Sequence, residues 1–438
     1  MGSLSTAESS GVQPSATAPI GVVGGGQLAW MLAQAARDLN LPLHVQTPAA
    51  SDPAARLATA LVQAPVDDVA GTRQLASACQ AITFENEWVD LQALAPLAAA
   101  GVRFLPSLSA LEPLVCKRSQ RELLQRLQLP APPWLPLADL LVPITPEGDA
   151  DVADLEARAN GLAEPILPVW LHPSHSGAGS APLQLRPGWQ FPLMAKAATG
   201  GYDGKGTQVL RDRGDLDALL QRVDPANWIV EAFVAFDCEL AQLVCRDRSG
   251  AVLCYPLVQT HQHQQVCDWV LTPAEVPHAV QAFARNIAAS LLTAIDYVGV
   301  LSIEFFYGPQ GLQVNEIAPR THNSGHLTIE AARTSQFAQQ ARIVAGLPMG
   351  PVDLQVPGAL MVNLLGFEAS AGDYGAEREA LAALPGATVH WYGKQGSSPG
   401  RKLGHVTLLL EAEEPPARRH EAMARLEEVR RIWPLPPA

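Results

Sequence analysis

Two hydrophobic periods take turns along this chain, and the switches between them mark its elements. Ile20-Gly-Val-Val reads as a buried strand; after Gly24-Gly25-Gly26, the apolar residues Leu28, Met31, Leu32, Ala35 and Leu39 recur at helical spacing. Strand, glycine turn and helix open a doubly wound α/β unit, whose helix N-terminus can present amides to an anion. Leu43-His-Val-Gln-Thr is the next strand. Ala81-Ile-Thr-Phe is another, delivering Glu85 and Glu87 at its carboxyl end, where open α/β sheets take ligands. The glycines fit G-x-G-x-x-A, but the second strand ends near Gln46 without the acid that a dinucleotide ribose needs. A small phosphate-bearing ligand and a plain tight turn are the leading readings, with a dinucleotide as the lesser one.

Strand spacing returns at Phe191-Pro-Leu-Met-Ala-Lys196 and Gln208-Val-Leu, which flank Gly200-Gly201-Tyr-Asp-Gly-Lys-Gly206. This glycine-rich hairpin is not a strand-to-helix turn, so a Walker loop is excluded; its amides form a nest for phosphates, bracketed by Lys196 and Lys205. Trp228-Ile-Val-Glu231 is a strand leading toward Glu239. Gly299–Tyr307 and Leu312–Ile317 form a hairpin about Gly308-Pro-Gln-Gly311, with Glu304 on one strand and Glu316 on the other. Placing Phe306 opposite Leu312 brings the two carboxylates to one face as diagonal partners about 7–8 Å apart, a span that magnesium ions bridging to phosphates can fill. Buried carboxylates without a cation would cost several kcal/mol each. A polar loop from Arg320 to His326 follows, then one helix expected over 328–345, stopped by Gly346. Lys394, Arg401 and Lys402 form a second basic cluster, suited to an anion such as a phosphomonoester. Between about 141 and 190 the chain turns to Pro, Gly, Ser and His, and reads as an irregular insertion.

The length of 438 residues suggests about three domains. A formal charge of −13 leaves no basic face for a nucleic acid, and no apolar run approaches the roughly 18 residues of a membrane span. The six cysteines include no C-x-x-C pair and read as reduced thiols of a cytosolic protein. The first 18 residues are mostly small and polar, a disordered tail rather than a signal or transit peptide.

Gly24-Gly-Gly-Gln-Leu, Gly201-Tyr-Asp-Gly-Lys-Gly, Val314-Asn-Glu-Ile-Ala-Pro-Arg, His322-Asn-Ser-Gly-His, Ser335-Gln-Phe and Pro399-Gly-Arg-Lys-Leu-Gly-His stand in the order found in a known family. The chain, from 19 to about 410, resembles the 5-(carboxyamino)imidazole ribonucleotide synthases, ATP-grasp ATPase subunits of phosphoribosylaminoimidazole carboxylase. The resemblance implies an α/β ATP-grasp fold: a tail at 1–18, a doubly wound pre-ATP-grasp domain at 19–115, an ATP-grasp core at 116–350 with a lid near 191–236, and a small C-terminal domain at 351–438. It also implies ATP-dependent carboxylation of 5-aminoimidazole ribonucleotide by bicarbonate, through carboxyphosphate, in purine biosynthesis. ATP and Mg2+ would be required, and the enzyme would be a cytoplasmic homodimer with no nucleic-acid or membrane partner. A ligase acylating a different ribonucleotide amine, and a non-catalytic nucleotide-binding protein, are the alternatives.

By the same resemblance, Lys117, Lys196, Gly201, Gly204, Gly206, Gln208, Glu231, Val234, Glu239, His261, Asn315 and Glu316 would hold the nucleotide, and Glu304 and Glu316 the magnesium. Gly26, Gln27, Leu28, Glu85, Arg320, His322, Asn323, Lys394, Arg401 and Lys402 would surround the ribonucleotide. Tyr202, Asp203, Lys205 and Lys402 would be catalytic, Asp203 and Lys205 orienting bicarbonate and handling the amine proton.

Overall fold

The computed structural model describes residues 18–144, 183–200 and 206–437, and these divide into two compact units. The larger takes the chain up to Pro132, Ala198–Gly206 and everything from Val234; the smaller takes Pro133–Ala197 and Thr207–Phe233.

In the smaller unit, Trp134–Pro136, Trp228–Ala232, Leu193–Ala197 and Thr207–Leu210 form an antiparallel sheet in that order. The helix Arg213–Leu220 buries Leu216 and Leu219 against Leu193, Ala195 and Val230. Asp212 caps it by accepting from the Asp215 amide. Leu141–Pro143 pairs with Leu183–Leu185, so the two ends of the expected irregular insertion are strands. Positions 145–182 of that insertion, and the tail up to 17, lie outside the described residues.

The larger unit opens with a parallel sheet in the order Ala60–Gln63, Leu43–Thr47, Ile20–Val23, Ile82–Phe84. Its first helix, Gln27–Asp38, fully buries Ala29, Met31, Leu32, Ala33 and Ala36, while Leu28, Ala35 and Leu39 are only partly covered. The face is thus rotated from the one the leucine spacing suggests. Alanines on this helix let it pack closely with Phe337, Ala341 and Val344 of a later helix, Gln336–Ala345.

A nine-stranded sheet makes up most of the rest, in the order Gly311–Ala318, Gly299–Gly308, Cys238–Arg246, Val258–His263, Val266–Thr272, Gly358–Leu365, Lys402–Leu410, Ala387–Trp391, with Val252–Cys254 paired to Cys238–Arg246. One face is mostly apolar, though Gln242 stands there beside Ile303 and Gln259 beside Leu240. Helix His278–Ala294 covers Leu301, Ile303 and Phe305 there, and helices Gly375–Ala382 and Pro415–Ile432 cover Leu360, Val362 and Leu408. The other face carries the polar side chains described below. The strands that follow residue 351 continue this sheet through Val266–Thr272.

Two expectations are corrected. The single helix over 328–345 is two, Thr328–Ala331 and Gln336–Ala345. The chain breaks between them because Ala332 bridges to Leu354, Arg333 N–H donates to Asp353, and the Ser335 hydroxyl caps the second helix at Ala338. Gly346 does end it, at φ 72°, a left-handed position glycine takes at little cost. In the carboxylate hairpin, Tyr307 rather than Phe306 lies opposite Leu312, since the two-residue turn pairs Gly308 with Gly311. A bulge then leaves Asn315 unpaired and sets Glu304 directly opposite Glu316. Among the described residues no helix is long and apolar enough to cross a membrane, and all six cysteines are free.

Candidate active site

Glu304 faces Glu316 on one side and Ala241 on the other, so Glu239, two residues along its strand, shares their face. Burial, then Glu316 and Glu239, push Glu304 up to about 7, against the opposing pull of Lys402 and Lys117. Burial also raises Glu239 to about 7, with His261 acting the other way. Crowded carboxylates of this kind suit a hard cation. The fit to magnesium is good in donor chemistry: Mg2+ takes one or two protein carboxylates and completes its shell with water and substrate phosphates. Among the described residues no cluster of three or more His, Cys, Asp or Glu side chains converges as a metal cage.

The bulge is braced by the helix Lys117–Arg126. Lys117 Nζ lies 2.8 Å from Glu316. Gln120 donates to the Ile317 carbonyl at 3.0 Å and accepts from its N–H at 3.2 Å. Arg121 donates to the carbonyls of Val314 and Asn315, at 3.3 and 2.6 Å. On the other flank His322 Nε2 stands 3.5 Å from Glu304, its backbone N–H and C=O both held by the buried Gln336 amide at 2.8 and 2.7 Å. Gln120, Arg121 and Gln336 escaped the sequence reading. The available signal was position: Gln336 stands within Ser335-Gln-Phe, and Gln120 and Arg121 follow Lys117 by about one helical turn.

At the carboxyl end of the parallel sheet, Glu85 accepts from the amides of Gly26 at 2.7 Å, Leu28 at 3.1 Å and Ala29 at 3.4 Å. The helix N-terminus left open for an anion is thus capped by the protein's own carboxylate. A Cβ at Gly26 would lie 2.5 Å from that carboxylate, which is why glycine stands there. Gln27 begins the helix beside it. Glu87 pairs with Arg320 at 2.7 Å, and its charge raises the Arg320 pKa against burial. Leu28, Glu85 and Arg320 line one narrow crevice with Thr83, Pro319 and Thr321.

The basic cluster is braced from within. Lys394 donates to the Lys402 carbonyl at 2.9 Å, and Arg401 to the carbonyls of Gln395 and Gly396 at 2.7 and 2.9 Å. The Lys402 charge reaches Glu304. Asn323 exchanges amide bonds with the buried Asn363 at 3.0 and 2.7 Å, so its side chain serves the loop's attachment. The register sets Thr260 beside Glu239, which turns His261 to the opposite sheet face. There it stacks on Trp269 at 5.2 Å and lies 3.4 Å from Asp268; Gln262 returns to the Glu239 side.

Within the smaller unit Lys196 and Glu231 form a buried ion pair at 2.8 Å, and Gln208 accepts from Arg222 at 2.7 Å. Gly206 opens the Thr207–Leu210 strand at φ 81°. Val234 is half-buried just beyond this unit's end. Gly201, Tyr202, Asp203, Gly204 and Lys205 lie outside the described residues.

Known proteins match most of this chain. The ribonucleotide synthetase preATP-grasp domain matches residues 17–114, the ATP-grasp domain 183–337, and the phosphoribosylaminoimidazole carboxylase C-terminal domain 359–419. An N5-carboxyaminoimidazole ribonucleotide synthase of Synechococcus elongatus is 47% identical over 417 residues, 95% of this chain and 96% of that protein. The crystal structure of the N5-carboxyaminoimidazole ribonucleotide synthetase from Thermus thermophilus aligns with a TM-score of 0.74 at 30% identity, covering 96% of this chain and 99% of that one. The N5-carboxyaminoimidazole synthase of Aspergillus clavatus, in complex with ADP and 5-aminoimidazole ribonucleotide, aligns at 0.76 and 27% identity, covering 95% and 99%. With that likeness running the length of both partners, and the three family segments in order, the chain belongs to the N5-carboxyaminoimidazole ribonucleotide synthase family of ATP-grasp enzymes.

Proposed function

We propose that this protein is an ATP-dependent ligase that carboxylates the amine of 5-aminoimidazole ribonucleotide with bicarbonate, releasing ADP and phosphate, in purine biosynthesis. The observation that carries the reading is one sheet face where Glu304 and Glu316 meet the charge of Lys402, in a chain 47% identical to a named synthase. ADP and the ribonucleotide in the crystal of the Aspergillus relative support the same substrates.

Bicarbonate is a poor electrophile, and phosphorylation by ATP turns it into carboxyphosphate, whose carbon the exocyclic amine can attack. In the larger unit we assign Lys117, Asn315 and Glu239 to the nucleotide, and Glu304 and Glu316 to magnesium. Magnesium, when bound, offsets the charge that builds on the transferring phosphoryl group. Lys394, Arg401 and Lys402 are assigned to the ribonucleotide phosphate; Gly26, Gln27, Leu28, Glu85, Arg320 and His322 to the rest of that substrate. In the smaller unit Lys196, Gln208 and Glu231 are assigned to the nucleotide. Asp203, with Tyr202 and Lys205, is assigned to orienting bicarbonate and taking the amine proton.

The test is phosphate release with ATP, magnesium and bicarbonate, with and without the ribonucleotide, alongside an assay for carboxylated product. Release that rises with the ribonucleotide and matches product is expected. Turnover that prefers formate to bicarbonate would select the other kind of ligase, and nucleotide binding without turnover would select a binding protein.

A further inference from the structure

On the polar face of the large sheet three imidazoles stand in a row. His405 stacks on His390 with ring centroids 4.5 Å apart and planes 14° from parallel, and His326 meets the other side of His405 at 4.9 Å, tilted by 37°. His326 and His405 are wholly buried, and His390 ends the stack on Glu330, Nε2 to Oε1 at 2.6 Å. Nε2 of His326 and Nε2 of His405 each meet no hydrogen-bond partner among the described residues. Burial drives both rings well below the ordinary imidazole range, with their histidine neighbours adding to it; they stay neutral at pH 7. A buried nitrogen without a partner is unfavourable, and a core built for packing alone would place phenylalanine or leucine here.

What the rings touch supplies the reason. His405 stands on the strand that begins at Lys402, and its Nδ1 shares a 2.9 Å hydrogen bond with the Tyr392 hydroxyl. Lys394 Nζ lies 5.5 Å from the centre of the Tyr392 ring. On the far side, His326 Nδ1 is 3.3 Å from Gln336 Nε2, the amide that clamps the backbone of His322.

We propose that His405 is a positioning residue: wedged between His390 and His326, it sets the spacing between the basic Lys394–Lys402 segment and the Arg320–His322 loop, and through them the grip on the ribonucleotide. The proposal rests on the function assigned above. Ring pairs prefer defined geometries that aliphatic side chains do not impose, and the Tyr392 bond fixes the rotation of the central ring.

Two variants separate the ring from its hydrogen bond. His405→Phe keeps the stack and gives up the bond; His405→Asn keeps a group able to bond with Tyr392 and gives up the ring. The asparagine variant should raise the KM for 5-aminoimidazole ribonucleotide by about tenfold or more, as small displacements of positioned groups do. Its KM for ATP should stay within about twofold, a split that general loosening of the fold would not produce. The phenylalanine variant should hold both KM values within about threefold of the parent, and thermal melting should show both variants folded. Phenylalanine as damaging as asparagine, both KM values moving together, or no change in either would overturn the proposal. Absence of ribonucleotide-dependent turnover in the unaltered enzyme would instead remove the function beneath it, and the proposal with it.

Discussion

Glu85 and Glu304 are partly buried carboxylates of the larger unit, both held above the ordinary range, and burial is the largest cause for each. Their surroundings then part ways. Three amides, from Gly26, Ala29 and Leu28, and the charge of Arg320 pull Glu85 back down. Around Glu304 the next causes are two further carboxylates, which push it higher still. A helix N-terminus satisfies the first from within the fold, whereas the second lacks positive charge that the protein does not fully supply. Burial alone therefore does not mark the place of an external cation; burial beside like charges does.

The comparison breaks most sharply at the hairpin. Glu304→Gln should lower phosphate release by about a hundredfold to a thousandfold, the usual cost of one electrostatic group aimed at the transition state. Its thermal midpoint should stay level or rise, because like-charge crowding is relieved. Wild-type turnover, or a clear fall in melting temperature, would mean that Glu304 serves the fold and not the metal.

Next in size is the cationic side of the same cluster. Arg401→Ala and Lys402→Ala should each raise the KM for the ribonucleotide about tenfold, since a charge-assisted contact is worth roughly 1.5 to 3 kcal/mol. Steady-state kinetics with the ribonucleotide varied at saturating ATP decides this, and an unchanged KM in both variants would reduce the segment to a self-braced turn.

Magnesium supplies a smaller, purely thermodynamic measure. At ten times its Kd a ligand stabilises the folded state by roughly 1.4 kcal/mol, so melting followed against magnesium, with a nucleotide analogue present, should climb in the parent and in Glu85→Gln. In Glu316→Gln the climb should vanish. An equal climb in all three would place the ion elsewhere.

The smallest effect concerns acidity. The folded pKa of Glu85 is raised above the roughly 4.3 of an unfolded glutamate, so the folded chain holds that proton more tightly. Its contribution is fully present below the unfolded value and is lost as pH climbs through the folded one. Chemical denaturation across the mildly acid to neutral range should therefore show a shallower decline in Glu85→Gln than in the parent. Identical slopes would mean that the three amides cancel the burial.

Residues and elements were legible where chemistry is local. Ile20–Val23 with its glycine turn, the Lys196 hairpin strands and the Gly346 stop all follow from spacing and turn residues. Geometry was less so. The bulge at Asn315 is held by Arg121, 194 positions earlier, and no period in the hairpin announces it. The break after Ala331 contains neither proline nor glycine and depends on the bridge from Ala332 to Leu354. Glu85 was found at a ligand-binding strand end, yet its place on the Gly26 amide needs the turn and the strand brought together across 59 positions. Nor does hydrophobic spacing place His261, whose face depends on which residue of its strand stands beside Glu239.

The strand Gly358–Leu365, seated directly against Val266–Thr272, bears on how the molecule is born. At about 5–20 residues per second, a ribosome that has finished Thr272 needs several more seconds to deliver this neighbour, and longer for Lys402–Leu410 beyond it. Throughout that interval Val266–Thr272 is an open edge, apolar and ready to pair with any other extended chain. The nascent chain therefore passes through a stage in which its growing sheet is most exposed to aggregation, and slower translation between the two strands would prolong that stage without altering a single contact of the finished fold.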